Sequence, residues 1–386
     1  LITSPFVLDY LVVARGYSLA LGFFICALLF CMRELKNSVH FSDDRQNRRL
    51  NIRLSCLCAL SVAANLSFAF VNAALLIAWF YWSVRFRFAM MGTEANGKQF
   101  GHTLMALVLP GLALFVMVNP SIIFYSSETL YFGSENWMAS IRSLVAATFE
   151  DIGRPGEKAI NLIIKSLFLL VGVILVWGAS VYRKMTGSAA DWKAPDVGIL
   201  PWLFILGILS LSILFHSLVN GFFGLALPME RAGLFLAILI MLFLCVSFNS
   251  LGTRSHYLVQ WTGRGILMIC IFIFIGSLRS GHFREWKYDA NTREIYEILR
   301  TKDASELSAG VGVPWILEPG MNFYRRYFSD TEMPEFTREG PKSEQTYFAL
   351  LPKLSEEDRI FIEEHPLQEL YRDPISGVIL FKKVGQ

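Results

Sequence analysis

The chain is poor in the residues that build reactive centres in soluble enzymes. Its six cysteines, Cys26, Cys31, Cys56, Cys58, Cys245 and Cys270, all lie in or beside apolar runs, and none falls after Arg279. That distribution argues against a disulfide framework. Cys56 and Cys58 have C-x-C spacing but no accompanying His or Cys cluster, so they read as buried apolar side chains rather than metal ligands. The six histidines are scattered, and His216 alone sits within an apolar run. Neither a nucleotide-binding glycine loop, a zincin motif nor a nucleophile elbow is found. Hydrolytic or nucleotide-driven chemistry of the soluble type has no footing, and nothing points to nucleic acid.

What is there is apolar. Hydrophobic residues make up 54% of the chain, with 32 Phe and 9 Trp, and they come in blocks. This composition identifies an integral membrane protein. Eight stretches approach the ~20 residues needed to cross a bilayer core. They run from Gly16 to Met32, Leu54 to Ala64, Phe68 to Trp82, Thr103 to Val118, Leu162 to Tyr182, Leu200 to Val219, Ala232 to Phe248 and Gly265 to Leu278. The second and third form one run too long for a single helix, and Asn65 marks the expected turn.

Charge asymmetry gives an orientation. With the basic segment Arg33 to Arg53 on the cytoplasmic side, the Arg85 to Lys98, Arg183 to Lys193 and Arg254 to Arg264 segments fall on that side too, as the positive-inside rule requires. Anionic headgroups would suit Arg33 to Arg53, although topology alone accounts for its charge. The loop 119–160 and everything after Arg279 are then expected outside. Composition shifts at that point: the tail carries 14 Lys+Arg against 19 Asp+Glu, the rest 21 against 13. The expected organisation is a transmembrane domain over 1–280 and an external α/β domain over 281–386. Within the tail, helices are expected over Asn291 to Arg300, capped by Thr292, and over Ser355 to Glu364, with Ser355 and Asp358 spaced like a capping box. Ala309 to Val313, Tyr347 to Leu351 and Val378 to Phe381 read as strands.

Several positions stand out chemically. Leu227-Pro228-Met229-Glu230-Arg231 sets a carboxylate beside a guanidinium at a helix mouth, where charge is costly unless it meets a cavity, a partner or water. An interfacial ion pair is the plain alternative. Arg15, followed by Gly16 and Tyr17 at another outer helix mouth, is either a phosphate or sugar contact or a snorkelling anchor. His216 either bonds a neighbouring helix or faces a substrate cavity. Lys165 is expected to snorkel. The loop 119–160 combines Tyr125, Glu128, Tyr131, Phe132, Glu135, Trp137, Phe149, Glu150 and Asp151. An amphipathic stretch from Trp137 to Phe149 suits a helix lying along the interface with Arg142 and Ser143 wet, while aromatics with carboxylates also suit sugar binding.

Four segments together resemble bacterial polytopic glycosyltransferases of the GT-C superfamily, similar to the aminoarabinose and protein mannosyl transferases: Ala14-Arg15-Gly16-Tyr17-Ser18-Leu19-Ala20-Leu21, Ala64-Asn65-Leu66-Ser67-Phe68, the Leu-Pro-Met-Glu-Arg stretch, and Leu317-Glu318-Pro319-Gly320-Met321-Asn322-Phe323-Tyr324-Arg325. The resemblance spans most of the chain. It implies a GT-C-like multi-helix body with a small external α/β domain, in the bacterial plasma (inner) membrane. The implied activity is transfer of a sugar from a polyprenyl-phosphate carrier to a lipid, glycan or protein acceptor at the outer face. Arg231 and Arg15 would bind the donor phosphate; Glu230, Tyr17, His216, Glu318, Asn322, Tyr324 and Arg325 would contact substrate. The tail residues among these have the alternative role of holding the tail to the membrane body. No cofactor is identified, and the residues do not say whether a divalent metal is needed. Enzymes of this kind open with a membrane helix and a large external loop bearing the catalytic acid; this chain begins at Leu1, and Asp9 is in no matching motif. The expectation is therefore an N-terminal portion, with the general base, outside the sequence. A noncatalytic membrane scaffold is the alternative reading. A transporter fits less well, because neither polar midplane helices nor an internal repeat is evident.

Overall fold

The computed structural model describes residues 16–36, 44–91, 97–118, 133–149, 156–186, 200–252, 284–337, 344–352 and 356–384, with a few single positions between them. The chain divides into two compact units, Leu1–Leu278 and Arg279–Gln386.

The first unit is helical: α1 (Tyr17–Lys36), α2 (Asp44–Ala64), α3 (Ala69–Met91), α4 (Gly97–Val118), α5 (Trp137–Phe149), α6 (Glu157–Thr186), α7 (Leu200–Phe223) and α8 (Leu234–Gly252). Among the described residues, four helical spans are long and apolar enough to cross a bilayer, Tyr17–Leu35, Leu66–Arg85, Glu157–Ser180 and Leu200–Phe223, and Phe100–Ala113 and Leu234–Phe248 are shorter apolar stretches. The protein is thus a helical membrane protein. Of the expected eighth span, Gly265 to Leu278, only Gly265 and Met268 are among the described residues, and Arg15 and Asp9 lie outside them.

Helix α2 departs from expectation. It starts at Asp44, ten residues before the expected Leu54, so Arg45, Arg48, Arg49 and Arg53 ride on helix rather than loop. The segment between Asp44 and Leu54 contains neither Gly nor Pro, and its Arg, Gln and Leu residues favour helix. Its polar side chains tie the bundle together. Asn51 Oδ1 accepts from Trp79 Nε1 of α3 at 2.9 Å. Ser61 Oγ donates to the Ala20 carbonyl of α1 at 2.7 Å and accepts from Asn72 Nδ2 of α3 at 2.9 Å. Helix α4 contains Pro110, which removes a ladder donor, and the next amide, Gly111, donates to Ser55 Oγ of α2 at 2.7 Å. A Cβ on Gly111 would lie 2.5 Å from that oxygen, so only glycine fits.

The run from Leu54 to Trp82 breaks at Asn65. Its extended backbone leaves α2, and its Oδ1 accepts from both the Ser67 amide (3.0 Å) and hydroxyl (2.7 Å), capping a short 3-10 turn, Leu66–Phe68. Between α6 and α7, Gly178 lets Trp202 approach: a Cβ there would sit 2.2 Å from the indole. Trp202 Nε1 in turn donates to Ser247 of α8 at 2.9 Å.

The second unit is a small α/β fold. A 3-10 turn (Arg284–Asp289) precedes α9 (Thr292–Arg300) and α10 (Ala304–Leu307). Then come β1 (Val311–Gly312), α11 (Glu318–Tyr327), β2 (Tyr347–Leu350), α12 (Glu356–Glu364), β3 (Leu367–Arg372) and β4 (Ile379–Lys383). The sheet order is β1-β2-β4-β3, with β1 parallel to β2 and the other pairs antiparallel. Ile295, Tyr296, Leu299, Met321, Tyr347 and Leu380 form its buried core. Two expectations need correcting. Thr292 is the first helical residue and not the cap; Asn291 holds the cap position, and the Thr292 hydroxyl donates to Asp289 Oδ1. Strand β3 was not expected, because Leu367-Gln-Glu-Leu-Tyr-Arg is largely polar, as suits a strand at the sheet edge. Ser355 lies outside the described residues.

Candidate functional site

One end of the first unit gathers the entry to α1, the α2–α3 turn, the start of α5, the end of α7 and the entry to α8. Gly16 begins the assembly. It has φ 80°, and a Cβ on it would fall 2.1 Å from the Ala64 carbonyl oxygen. A side chain is excluded there on both counts. Two of the segments that carry the family resemblance, separated by the length of α1 and α2, are therefore in backbone contact. Tyr17 is half-buried at the first turn of α1.

The Leu-Pro-Met-Glu-Arg stretch is stapled to the segment before α5. Ser134 and Leu227 exchange backbone hydrogen bonds of 2.9 and 2.8 Å, and Gly133 permits the approach because its Cβ would meet the Leu227 oxygen at 2.6 Å. Ser134 Oγ also lies 2.5 Å from Ser140 Oγ of α5. Asn136 Oδ1 accepts from the Ala139 amide at 2.8 Å, fixing the start of α5.

Glu230 and Arg231 open a 3-10 turn, Glu230–Gly233, that leads directly into α8. Glu230 has φ 45°, a left-handed backbone that costs a non-glycine residue roughly 1–2 kcal/mol. Its amide donates to Ser143 Oγ of α5 at 3.2 Å, and that hydroxyl donates to the Ser140 carbonyl at 2.8 Å. Ser143 is thus half-buried and structural, not a wet residue on the interfacial face. Gly233 lies against Leu144, where a Cβ would come within 2.8 Å of the side chain. The Arg231 backbone belongs to this turn; its side chain lies outside the described set.

His216, near the end of α7, is buried beside this turn's helix. Its Nδ1 lies 2.8 Å from the Ser212 carbonyl, which can only accept, so Nδ1 carries the proton. Phe235 of α8 stacks on the ring at 5.2 Å, and Phe70 of α3 and Trp137 of α5 meet it edge-on at 4.6 and 6.3 Å. Trp137 Nε1 donates to Ser217 Oγ at 2.8 Å. Phe235 also contacts Phe68 (6.0 Å), and Phe68 contacts Phe24 (6.3 Å), so one aromatic chain links α7, α8, the Asn65 turn and α1. The Nδ1 bond of His216 is to its own helix, at Ser212, rather than to a neighbouring one, and its ring is packed among three aromatic side chains.

On α6, Lys165 is exposed. Arg142 is exposed and its Nη2 donates to Asn161 Oδ1 at 3.2 Å. Of the aromatic and acidic residues of the 119–160 loop, Tyr125, Glu128, Tyr131, Phe132, Glu150 and Asp151, together with the Phe149 side chain, lie outside the described residues; Glu135 is exposed. Among the described residues no His/Cys/Asp/Glu group suits a metal ion.

The four tail residues share α11 and serve the second unit's own fold. Asn322 Nδ2 donates to Glu318 Oε1 (2.6 Å) and to the Phe336 carbonyl (2.9 Å), and its Oδ1 accepts from the Phe336 amide (3.1 Å). Arg325 Nε donates to the Met333 carbonyl at 2.7 Å. Together they clamp the segment 329–336 onto the helix. Tyr324 packs on Tyr296 and Phe328, at 6.2 and 6.4 Å. Burial, with the nearby Asp289 carboxylate, raises its hydroxyl above the ordinary phenol value.

Sequence reasoning missed Gly133, Ser134, Ser140 and Ser217 and read Ser143 as a wet residue. For Ser140 and Ser143 the signal was the small residues on a helix otherwise read as amphipathic. Comparison with protein-family models, with curated proteins and with solved structures finds no match to this chain.

Proposed function

We propose that the protein is a membrane glycosyltransferase that moves a sugar from a polyprenyl-phosphate carrier to a lipid, glycan or protein acceptor on the outer side of a bacterial inner membrane. The supporting observation is the convergence of three separate segments of the resemblance, at Gly16, at Ala64 to Phe68 and at Leu227 to Arg231, on one end of the helical unit.

In this reading an acceptor hydroxyl or amine attacks the anomeric carbon and the polyprenyl phosphate departs. The leaving phosphate gains negative charge, so cations beside it lower the barrier. Arg231 can take phosphate oxygens in bidentate fashion, and its place just ahead of α8 adds the favourable helix dipole. Arg15 is the second cation. The left-handed backbone at Glu230, held by Ser143, fixes where its carboxylate leaves the turn, so it is suited to orienting Arg231 or accepting from the sugar. Tyr17 lines the same end.

The test is transfer from a polyprenyl-phosphate sugar in membranes carrying Arg231→Ala. Loss of a stabilising donor at the leaving group predicts a fall of about 100-fold or more. Unchanged turnover and donor affinity would remove Arg231 from the mechanism. A noncatalytic scaffold is favoured by the enclosure of His216 among aromatic rings and by the use of Asn322 and Arg325 within the tail fold. It predicts no transfer by the wild-type protein with any such donor.

A further inference from the structure

Away from the Glu230 turn, the second halves of α3 and α6 and the first half of α7 line a groove of about 640 Å³. That volume is within the range of roughly 300–1,000 Å³ typical of small-molecule sites. Its walls are apolar apart from one corner, where Arg85 and Tyr81 stand with Trp82. The Arg85 guanidinium donates to the Tyr81 hydroxyl at 2.7 Å and lies 6.0 and 5.9 Å from the Tyr81 and Trp82 ring centres. Gly178 and Gly207 keep the walls thin. A Cβ on Gly178 would strike Trp202, whereas one on Gly207 would project into open space.

We propose that this groove is a binding site for an anionic phospholipid of the surrounding bilayer, with an acyl chain against the apolar walls and the headgroup phosphate on Arg85. The argument is charge complementarity at a fixed depth. A guanidinium bonded to a phenol and set beside an indole, at the end of an apolar helix, has the composition of a headgroup-level anchor. Its planar fork presents its N–H donors in the geometry that matches phosphate oxygens. A zwitterionic lipid fills the same groove but offers no net charge to reward that corner. The site is separate from the proposed donor site and does not rest on the transferase reading.

Brominated lipids test this, because bromine quenches nearby tryptophan and Trp82 lines the groove. The full chain is reconstituted in phosphatidylcholine vesicles containing equal mole fractions of brominated phosphatidylglycerol or brominated phosphatidylcholine. The fluorescence component that Trp82→Phe removes isolates the groove from the remaining tryptophans. Phosphatidylglycerol should quench it with about fivefold higher apparent affinity, the factor one basic side chain gives near an anionic lipid. Arg85→Gln should abolish the preference and Arg85→Lys should retain most of it. Gly207→Leu should weaken quenching by both lipids with the charge intact, because its Cβ enters open space and the rest of its side chain takes up groove volume. Equal quenching by the two lipids would overturn the proposal, as would a preference that survives Arg85→Gln. So would a Trp82 shielded from both lipids, which would mean that a helix or a second copy of the chain covers the groove.

Discussion

The two units bury polar groups for opposite reasons. In the helical unit, Asn51, Ser55, Ser61 and Asn72 lie at the centre of helix contacts and bond from one helix to the next. In the second unit the centre is apolar, built around Tyr296, Met321, Tyr347 and Leu380, and polar bonds such as those of Asn322 staple a loop over it. Lipid is as apolar as leucine, so burying leucine between membrane helices gains little, and bonds with close approach at small residues must choose the packing. In water the apolar core drives assembly, and bonds add definition at its rim.

Substitutions can break this contrast. Tyr296→Ala, which empties a ring packed against Tyr324, Phe328 and Phe336, is expected to cost the second unit about 3–5 kcal/mol. Hydrogen exchange at the β2 and β4 amides of the full chain would report it, and the helical unit should be unaffected. Asn51→Ala is expected to cost the helical unit only about 1 kcal/mol, the scale of one interhelical bond in a membrane. Denaturant titration of the detergent-solubilised chain would measure that; a loss as large as that of Tyr296→Ala would erase the distinction. The smallest effect is one of pH. Burial holds the Asp289 carboxyl above its ordinary value of 3.8, with the Thr292 hydroxyl offsetting part of the shift. The folded state therefore binds this proton more tightly than the unfolded state. Its contribution to stability is present below 3.8 and is lost as pH rises through the raised value. Asp289→Asn should flatten that slope in second-unit exchange measured across the acid range; an unchanged slope would assign the dependence to other groups.

How far the sequence could be read follows the same contrast. The break at Asn65 was accessible because the apolar run is too long for one helix, and α5 was found with its bounds because aromatic and apolar residues repeat at helical spacing. The first half of α2 was missed because a hydropathy reading treats arginines as loop, although they are good helix formers. Strand β3 escaped because an edge strand carries polar side chains on both faces. At the candidate site, the helix mouth at Glu230 was visible from the proline and charge pair. Its support by Ser143 was not, nor was the stack of Phe235 on His216. Contacts between distant helices leave no period in the sequence, and a serine that holds a backbone amide looks like one that faces water.

The bond from Gly111 to Ser55 has a mechanical consequence. Where Pro110 weakens α4, a side chain of α2 supplies the acceptor, at a spacing only a glycine allows. Sliding α2 by one residue would carry Ser55 away and strand an amide in a dry interface. A tilt of α4 about its proline that left α2 in place would therefore break this bond. The register of α2 is set at two points along its length, by this amide and by the Ala64 carbonyl against Gly16.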